Sequence, residues 1–254
     1  MLAAQRRLDI ARMVEQHGGI RVAVLSSTFG VTEETIRRDL EHLERDGRVE
    51  KTHGGAIARD ILRFEASFSF RQARHPVEKK KIAGAVAQMI EDGDTVCLDA
   101  STTALFVAHE LRHKRNLTVL TNSTRMTLEF AGSPLVTVIS TGGTLRHASA
   151  SLVGPLAERA LRDYHVHKTV FSCGGFTLEH GFSDSNELEV EVKKLMMGCS
   201  QHAIAALDST KFGREGFVNI APAGAARTLV TDSGVPENIV RALRDAGVEV
   251  VIVQ

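Results

Sequence analysis

The sequence predicts a mainly α N-terminal unit, three helices with a small β-wing, joined to a larger α/β unit with a mostly parallel sheet. Two patterns predict this. Up to residue 57 the apolar residues recur at helical spacing, in stretches that stop at glycines. From about residue 82, short apolar runs of strand length alternate with amphipathic stretches, as in a parallel sheet covered on both faces. At 254 residues, 43% hydrophobic and 24% charged, the chain can build a small domain and a medium one with buried cores and no disulfides.

Leu8, Ile10, Ala11, Met13 and Val14 make a first amphipathic helix that stops at His17-Gly18-Gly19. VAVLSSTF is a short second helix, and Gly30-Val31 turns into a third that begins at Thr32. Thr32 is a natural N-cap, with Glu33 and Glu34 in the first turn, where carboxylates favour the positive helix end. Three residues on stands Thr35, neither Glu nor Gln, so there is no capping box. Gly47 ends the helix, and RVEKTHGGAIA reads as two short strands around a glycine turn. The expected divisions are a domain over 1–57, a connector over 58–81 and a second domain over 82–254. The connector holds Pro76, and its Phe64, Phe68 and Phe70 read as anchors.

The second unit alternates. Helix IAGAVAQMI precedes strand TVCLDA, helix TTALFVAHEL precedes strand LTVLTN, and helix STRMTLEFA precedes strand VTVISTGG. Helix GPLAERALRDY leads to strand HKTVFSCGG, and helix EVEVKKLMMGCS to strands HAIAALD and TLVTD. Helix ENIVRALRDAG and strand VEVVIV close the order, with no tandem repeat.

The formal net charge of +0 gives no global pull toward nucleic acid or an acidic membrane. The N-terminal stretch has no signal-peptide pattern and no apolar run reaches transmembrane length, so a soluble, cytoplasmic protein is expected. Cys97, Cys173 and Cys199 cannot all pair, and no two have zinc-ligand spacing. Reduced structural cysteines are expected, with no metal site and no cofactor.

On a helical wheel Ile36, Leu40 and Leu43 form a packing seam, while Glu34, Arg38, Glu41 and Arg45 point away and Thr35 and Arg37 flank it. Arg38 near the helix start suits a major groove, where an arginine donates two hydrogen bonds to a guanine edge. The wing offers Lys51 and His53, and Gly54 and Gly55 would let backbone N–H groups approach a sugar–phosphate chain. A protein-interaction module, with its arginines paired to Glu33, Glu41 or Asp39, remains an alternative. Residues 1–60 hold ten Lys/Arg and ten Asp/Glu, so charge does not choose.

The run FGVTEETIRRDLEHLERDGRVEKTHGGA resembles the winged helix-turn-helix of the DeoR/GlpR family of bacterial sugar-metabolism repressors, whose signature joins FGVS, TIRRDL and an HGGA wing. Thr32 stands where the family usually has Ser, and Lys51 where it often has Arg. The resemblance implies that the TIRRDL helix enters the major groove of double-stranded operator DNA. It points to Thr32, Thr35, Arg37, Arg38, Lys51, His53, Gly54 and Gly55 as the DNA-binding set.

In an open parallel sheet, ligands sit at the carboxyl ends of the strands. Here those ends carry Ser101, Thr102 and Thr103; Thr121, Asn122 and Ser123; Gly142, Gly143 and Arg146; and Ser209, Thr210 and Lys211. Hydroxyls at a helix mouth and the cations Arg146 and Lys211 suit a phosphate, and Asp99 and Asp208 can accept from sugar hydroxyls. Asp184 and Glu189 are further candidates. For any one loop, an ordinary N-cap or turn is the plainer reading.

The family resemblance extends across this half, through DASTT, TN, TGGTLR, CGG (which adds Gly174 and Gly175), EVEVKKLM and DSTKFG. It implies a ribose-5-phosphate isomerase-like effector domain that binds a phosphorylated sugar or related metabolite. Ala100-Ser101 and Cys173 depart from the usual family residues. A homo-oligomer, dimer or tetramer, is expected, because two recognition helices on a symmetric operator multiply affinity and specificity. The rival is a sugar-phosphate isomerase with an accessory DNA-binding domain. The related isomerases use an Asp-x-Ala-Asp-Glu run; this chain has CGGFTLEHGFSD there, with Glu179 and Asp184 as the available carboxylates. No catalytic residue is assigned.

Overall fold

The chain divides into two units, Met1–Arg74 and His75–Gln254, in a computed structural model that describes residues 2–17, 19–46, 48–58 and 68–254. The first unit comprises α1 (Ala3–His17), β1 (Gly19–Arg21), α2 (Val22–Phe29), α3 (Glu33–Arg45), β2 (Val49–Thr52), β3 (Gly55–Ala58) and α4 (Phe68–Ala73). Thr32 Oγ1 accepts from Thr35 N at 3.3 Å, so Thr32 caps α3 as its position suggests. Gly30 has φ +63°, the left-handed conformation that ends α2 and reverses the chain into α3. Ile36, Leu40 and Leu43 are buried against Ile10, Ala11 and Val14 of α1 and Val22 and Leu25 of α2.

The wing has three strands rather than two, in the order β1-β3-β2, both pairings antiparallel. Three residues, Gly-Ile-Arg, show no period, and their partner lies far along the chain at Gly55–Ile57, so only tertiary pairing reveals β1. Phe68 is buried with the Arg71 guanidinium 5.8 Å from its ring centre. Gly18, Gly47, Phe64 and the Phe70 side chain lie outside the described residues.

The second unit runs α5 (Pro76–Gln88), β4 (Thr95–Leu98), α6 (Thr102–Leu111), β5 (Leu117–Thr121), α7 (Thr124–Glu129), β6 (Val136–Ser140), β7 (Thr144–Arg146), β8 (Ser151–Val153) and α8 (Pro155–Arg162). It continues with β9 (Val166–Phe171), β10 (Gly175–Thr177), β11 (Gly181–Asp184), α9 (Glu187–Gly198), β12 (Ser200–Ala206), β13 (Val218–Ala221), β14 (Thr228–Asp232), α10 (Glu237–Asp245) and β15 (Glu249–Val253). The helix expected from residue 82 starts at Pro76 instead. Proline fits a first helical turn, where its fixed φ is already helical and its missing N–H would have no partner.

Seven strands form one sheet in the order β15-β14-β12-β9-β4-β5-β6, every pair parallel. Cys97 and Leu120 pack with Val153, Ala157 and Leu161 and with Val192 and Met196 of α9. Phe171, Ala205, Leu229 and Val250 pack with Val190 and with Ile239, Val240 and Leu243 of α10. Two antiparallel additions, β7-β8 and β10-β11-β13, escape the sequence reading because their strands are only three or four residues long. All three cysteines are free and buried, and among the described residues no helix is long and apolar enough to cross a membrane. Because all seven strands run the same way, their carboxyl ends line a single edge of the sheet.

Candidate functional site

Arg37 and Arg38 on α3 and Lys51 on β2 are each paired to a carboxylate of α3. Arg37 lies 2.8 Å from Glu33, Arg38 3.4 Å from Glu34, and Lys51 2.9 Å from Glu41. The hydrogen bond and charge of Lys51 hold the Glu41 carboxyl below its ordinary value. The Arg38 side chain is 75% exposed, so its pair is screened by water and readily exchanged for another anion or a base edge. The pairing anticipated for an interaction module is thus present at Arg37 and Glu33, and it leaves the guanidinium groups accessible.

Thr32 and Thr35 share a hydroxyl–hydroxyl bond of 2.9 Å, beside the cap. His53 and Gly54 form the exposed wing turn. Gly55 requires a correction: it is buried in β3, where a Cβ would collide with the Ile20 carbonyl, so its small size serves the close approach of β1 rather than of DNA. Behind the face, Arg6 Nε lies 2.6 Å from Asp39 Oδ2 and fastens α1 to α3. Asp39, named above only as a possible arginine partner, is buried because it falls beside Ile36, Leu40 and Leu43 on the wheel.

In the second unit Asp99 ends β4, with Oδ1 accepting from Ser101 N and Oδ2 from Ser172 N, each at 3.1 Å. Lys193 Nζ lies 3.3 Å from the same Oδ2 and donates to Asp184 Oδ2 and to Ser172 O, both at 2.7 Å. Burial alone would favour the neutral amine, but Asp184 and Asp99 reverse this and raise Lys193 above its ordinary value. Asp99 therefore organises the turn and a buried cation, a different task from the open hydroxyl acceptor expected. Lys193 was not anticipated; its signal was the four-residue spacing from Glu189, which puts both on one face of α9.

Ser101 caps α6, its Oγ accepting from Ala104 N at 3.1 Å, and Thr102 and Thr103 are buried in the first turn. Thr121 donates to Leu98 O at 2.8 Å and accepts from Ser123 N, so it ties β5 to β4. Gly142 and Gly143 have positive φ, and a Cβ on Gly143 would meet Val153 O at 2.7 Å. Glu189 Oε1 accepts from Arg146 at 3.0 Å, from Ser149 at 2.6 Å and from Ser151. Gly174 is exposed, whereas Gly175 packs against the Arg214 carbonyl. Cys173 donates to Gly175 O, its thiol pushed up to about 12 by burial and by Asp184.

Asp208, after β12, accepts from Thr210 N at 3.2 Å and from the Thr210 hydroxyl. Burial pushes its carboxyl up, but Lys211, Thr210, Lys79 and His75 together hold it below the ordinary value. Lys79 is a buried lysine of α5 that the sequence hid inside the run EKKK, which reads as a solvated face. Asp232 Oδ2 takes Ser209 N at 2.7 Å. The edge thus carries a cationic group after β12, a buried Lys193 junction after β4 and β9, and the Asn122, Arg146 and Glu189 group beyond β5. Of the two carboxylates available to an isomerase, Glu179 is exposed in the β10–β11 turn and Asp184 is bound to Lys193.

Residues 6–61 match the DeoR-like helix-turn-helix domain and residues 74–233 the DeoR C terminal sensor domain. An uncharacterized HTH-type transcriptional regulator of Bacillus subtilis (strain 168), YulB, is 44% identical over 253 residues, covering 100% of this chain and 98% of its own. A putative aga operon transcriptional repressor of Escherichia coli O157:H7 is 31% identical, with 98% of this chain and 94% of its own covered. A ribose 5-phosphate isomerase A of Methanocaldococcus jannaschii aligns at 12% identity and a TM-score of 0.39 over 53% of each chain, a likeness too slight to carry any inference. The helix-turn-helix unit and the seven-stranded α/β unit place this chain in the DeoR family of transcriptional regulators.

Proposed function

We propose that the protein is a repressor of a carbohydrate-catabolism operon, released from double-stranded operator DNA when a phosphorylated sugar or related metabolite occupies the second unit. The observation that carries this reading is the pairing of accessible arginines on a capped α3 with a sheet edge where Lys79, Lys211, Asn122 and Arg146 come to the carboxyl ends of parallel strands. The relative named as an operon repressor supports the sign of regulation.

Arg37 and Arg38 exchange Glu33 and Glu34 for operator contacts, with Thr35, Lys51, His53 and Gly54 as neighbours on the same face. The phosphate is held on the β12 side by Lys211, with Ser101, Thr102 and Thr103 at the mouth of α6. The protein acts as a homo-oligomer, so that two copies of α3 meet a symmetric site. Effector binding favours one arrangement of the sensor units over another and thereby changes the spacing of the DNA-binding units. The isomerase alternative gains no support from a Glu179 in solvent and an Asp184 bound to Lys193.

The test is a gel-shift titration against the promoter DNA beside the protein's own gene, with and without a panel of sugar phosphates. Retardation that one phosphorylated sugar reverses, and its unphosphorylated form does not, supports the reading. Retardation that no sugar phosphate alters refutes the effector half.

A further inference from the structure

Asn122 follows β5 directly and is 1% exposed. Its side chain has a fixed orientation. Nδ2 donates to Leu152 O at 3.1 Å, and since a carbonyl oxygen only accepts, the amide nitrogen must face Leu152. The backbone repeats the tie, Leu152 N donating to Asn122 O at 2.7 Å. Oδ1 is therefore fixed as an acceptor, and among the described residues it has no hydrogen-bond partner. A buried carbonyl without a donor carries a desolvation penalty, and native structures relieve it.

Three hydroxyls from the end of β5 and the β7–β8 hairpin already donate elsewhere. Thr121 donates to Leu98 O, and Ser149 and Ser151 both donate to Glu189 Oε1. Each hydroxyl has one proton, and each is committed. On this side the Arg146 cation is paired to Glu189 and Asn122 Oδ1 offers an acceptor, while the β12 side carries Lys211 and buried Lys79. Acceptors disfavour an anion and favour an O–H donor, so the two sides call for different ends of one ligand.

We propose that Asn122 Oδ1 is the hydroxyl-reading atom of the sensor, so that the effector is a polyhydroxy phosphate with a free hydroxyl remote from its phosphate. The inference rests on the proposed effector reading and deepens it: Asn122 discriminates hydroxylated from deoxygenated ligands, while Lys211 meets the phosphate.

The test is calorimetric titration of the full chain with inorganic phosphate, glycerol 3-phosphate, ribose 5-phosphate, fructose 6-phosphate, glucose 6-phosphate, the monodeoxy analogues of the sugar phosphates, and the free sugars. The expected result is that wild-type protein binds one sugar phosphate at least tenfold more tightly than one of its monodeoxy analogues. Asn122→Ala should then bind that pair equally, by weakening the parent alone. Wild-type protein provides the deoxy comparison without any mutation, so a folding defect in the variant cannot mask the answer. Equal wild-type binding of parent and every deoxy analogue overturns the proposal, as does an Asn122→Ala variant that keeps the full preference. Free sugars binding as tightly as their phosphates would sink the sugar-phosphate reading alone, with Asn122 judged by the same deoxy pair among the free sugars. A panel that is flat throughout overturns both.

Discussion

Lys193 Nζ lies 2.7 Å from Asp184 Oδ2, and this pair joins α9 to the end of β11 beneath the carboxyl edge of the sheet. The same ammonium reaches Asp99, so one buried cation is shared by two carboxylates. Replacing it by methionine removes the cation shared by buried Asp99 and half-buried Asp184. Lys193→Met should lower the unfolding free energy of the second unit by roughly 3–5 kcal/mol, read from urea titration followed by circular dichroism. Adding Asp99→Asn and Asp184→Asn should recover much of the loss. An unchanged midpoint in the single variant would show that the pair has no structural role.

Acid should unfold the protein through a small set of carboxyls. Asp208 and Asp94 are both held below their ordinary value of 3.8 despite burial, the first chiefly by Lys211, the second by the hydrogen bond from Lys168. A depressed folded pKa means that the unfolded chain binds protons first as pH falls. The stabilisation is therefore complete above that ordinary value and is lost as pH drops through the lower folded values. Urea midpoints measured from pH 7 down to pH 2.5 should fall steeply below about pH 4. Asp208→Asn should start lower at pH 7 and fall less steeply.

The two classes of cation in the first unit should separate by salt dependence. The proposed function has the exposed Arg38 read a base edge, so Arg38→Ala should cost about 1–3 kcal/mol at the operator and leave non-specific binding nearly intact. Lys51, on the wing, should act as a point charge. Lys51→Ala should weaken all DNA similarly and reduce the slope of log K against log salt by about one. Fluorescence anisotropy at several salt concentrations distinguishes these outcomes, and identical slopes for both variants would contradict the assignment.

Gly55→Ala tests whether the wing glycine serves folding. Its added methyl group would press on the Ile20 carbonyl and separate β1 from β3. The variant should lose about 1–3 kcal/mol of stability, with a lower melting temperature and lost operator binding. Gly54→Ala, with open space around it, should keep the wild-type melting temperature.

The helical seam of α3, its Thr32 cap and the βα rhythm of the second unit could be read from residues alone, because each depends on neighbours within a turn or on a period of two or 3.6. The short strands β1, β7, β8, β10 and β11 could not, because three or four residues carry no period and their partners are set by long-range packing.

The candidate sites divide in the same way. Polar loops at strand ends, and arginines facing outward, follow from residue type and position along the chain. Which loop atoms are already occupied does not. Asp99 is engaged by Ser172 and Lys193, Gly55 lies under Ile20, and Asn122 turns its amide nitrogen to Leu152, its oxygen having no partner among the described residues. Each of those partners is distant in sequence and adjacent only once the sheet and its covering helices have formed. The sequence by itself determined the helix-turn-helix and α/β plan and the outward arginines of α3; the tertiary structure decided which polar atoms are already engaged, because hydrogen bonds are allotted by proximity in space.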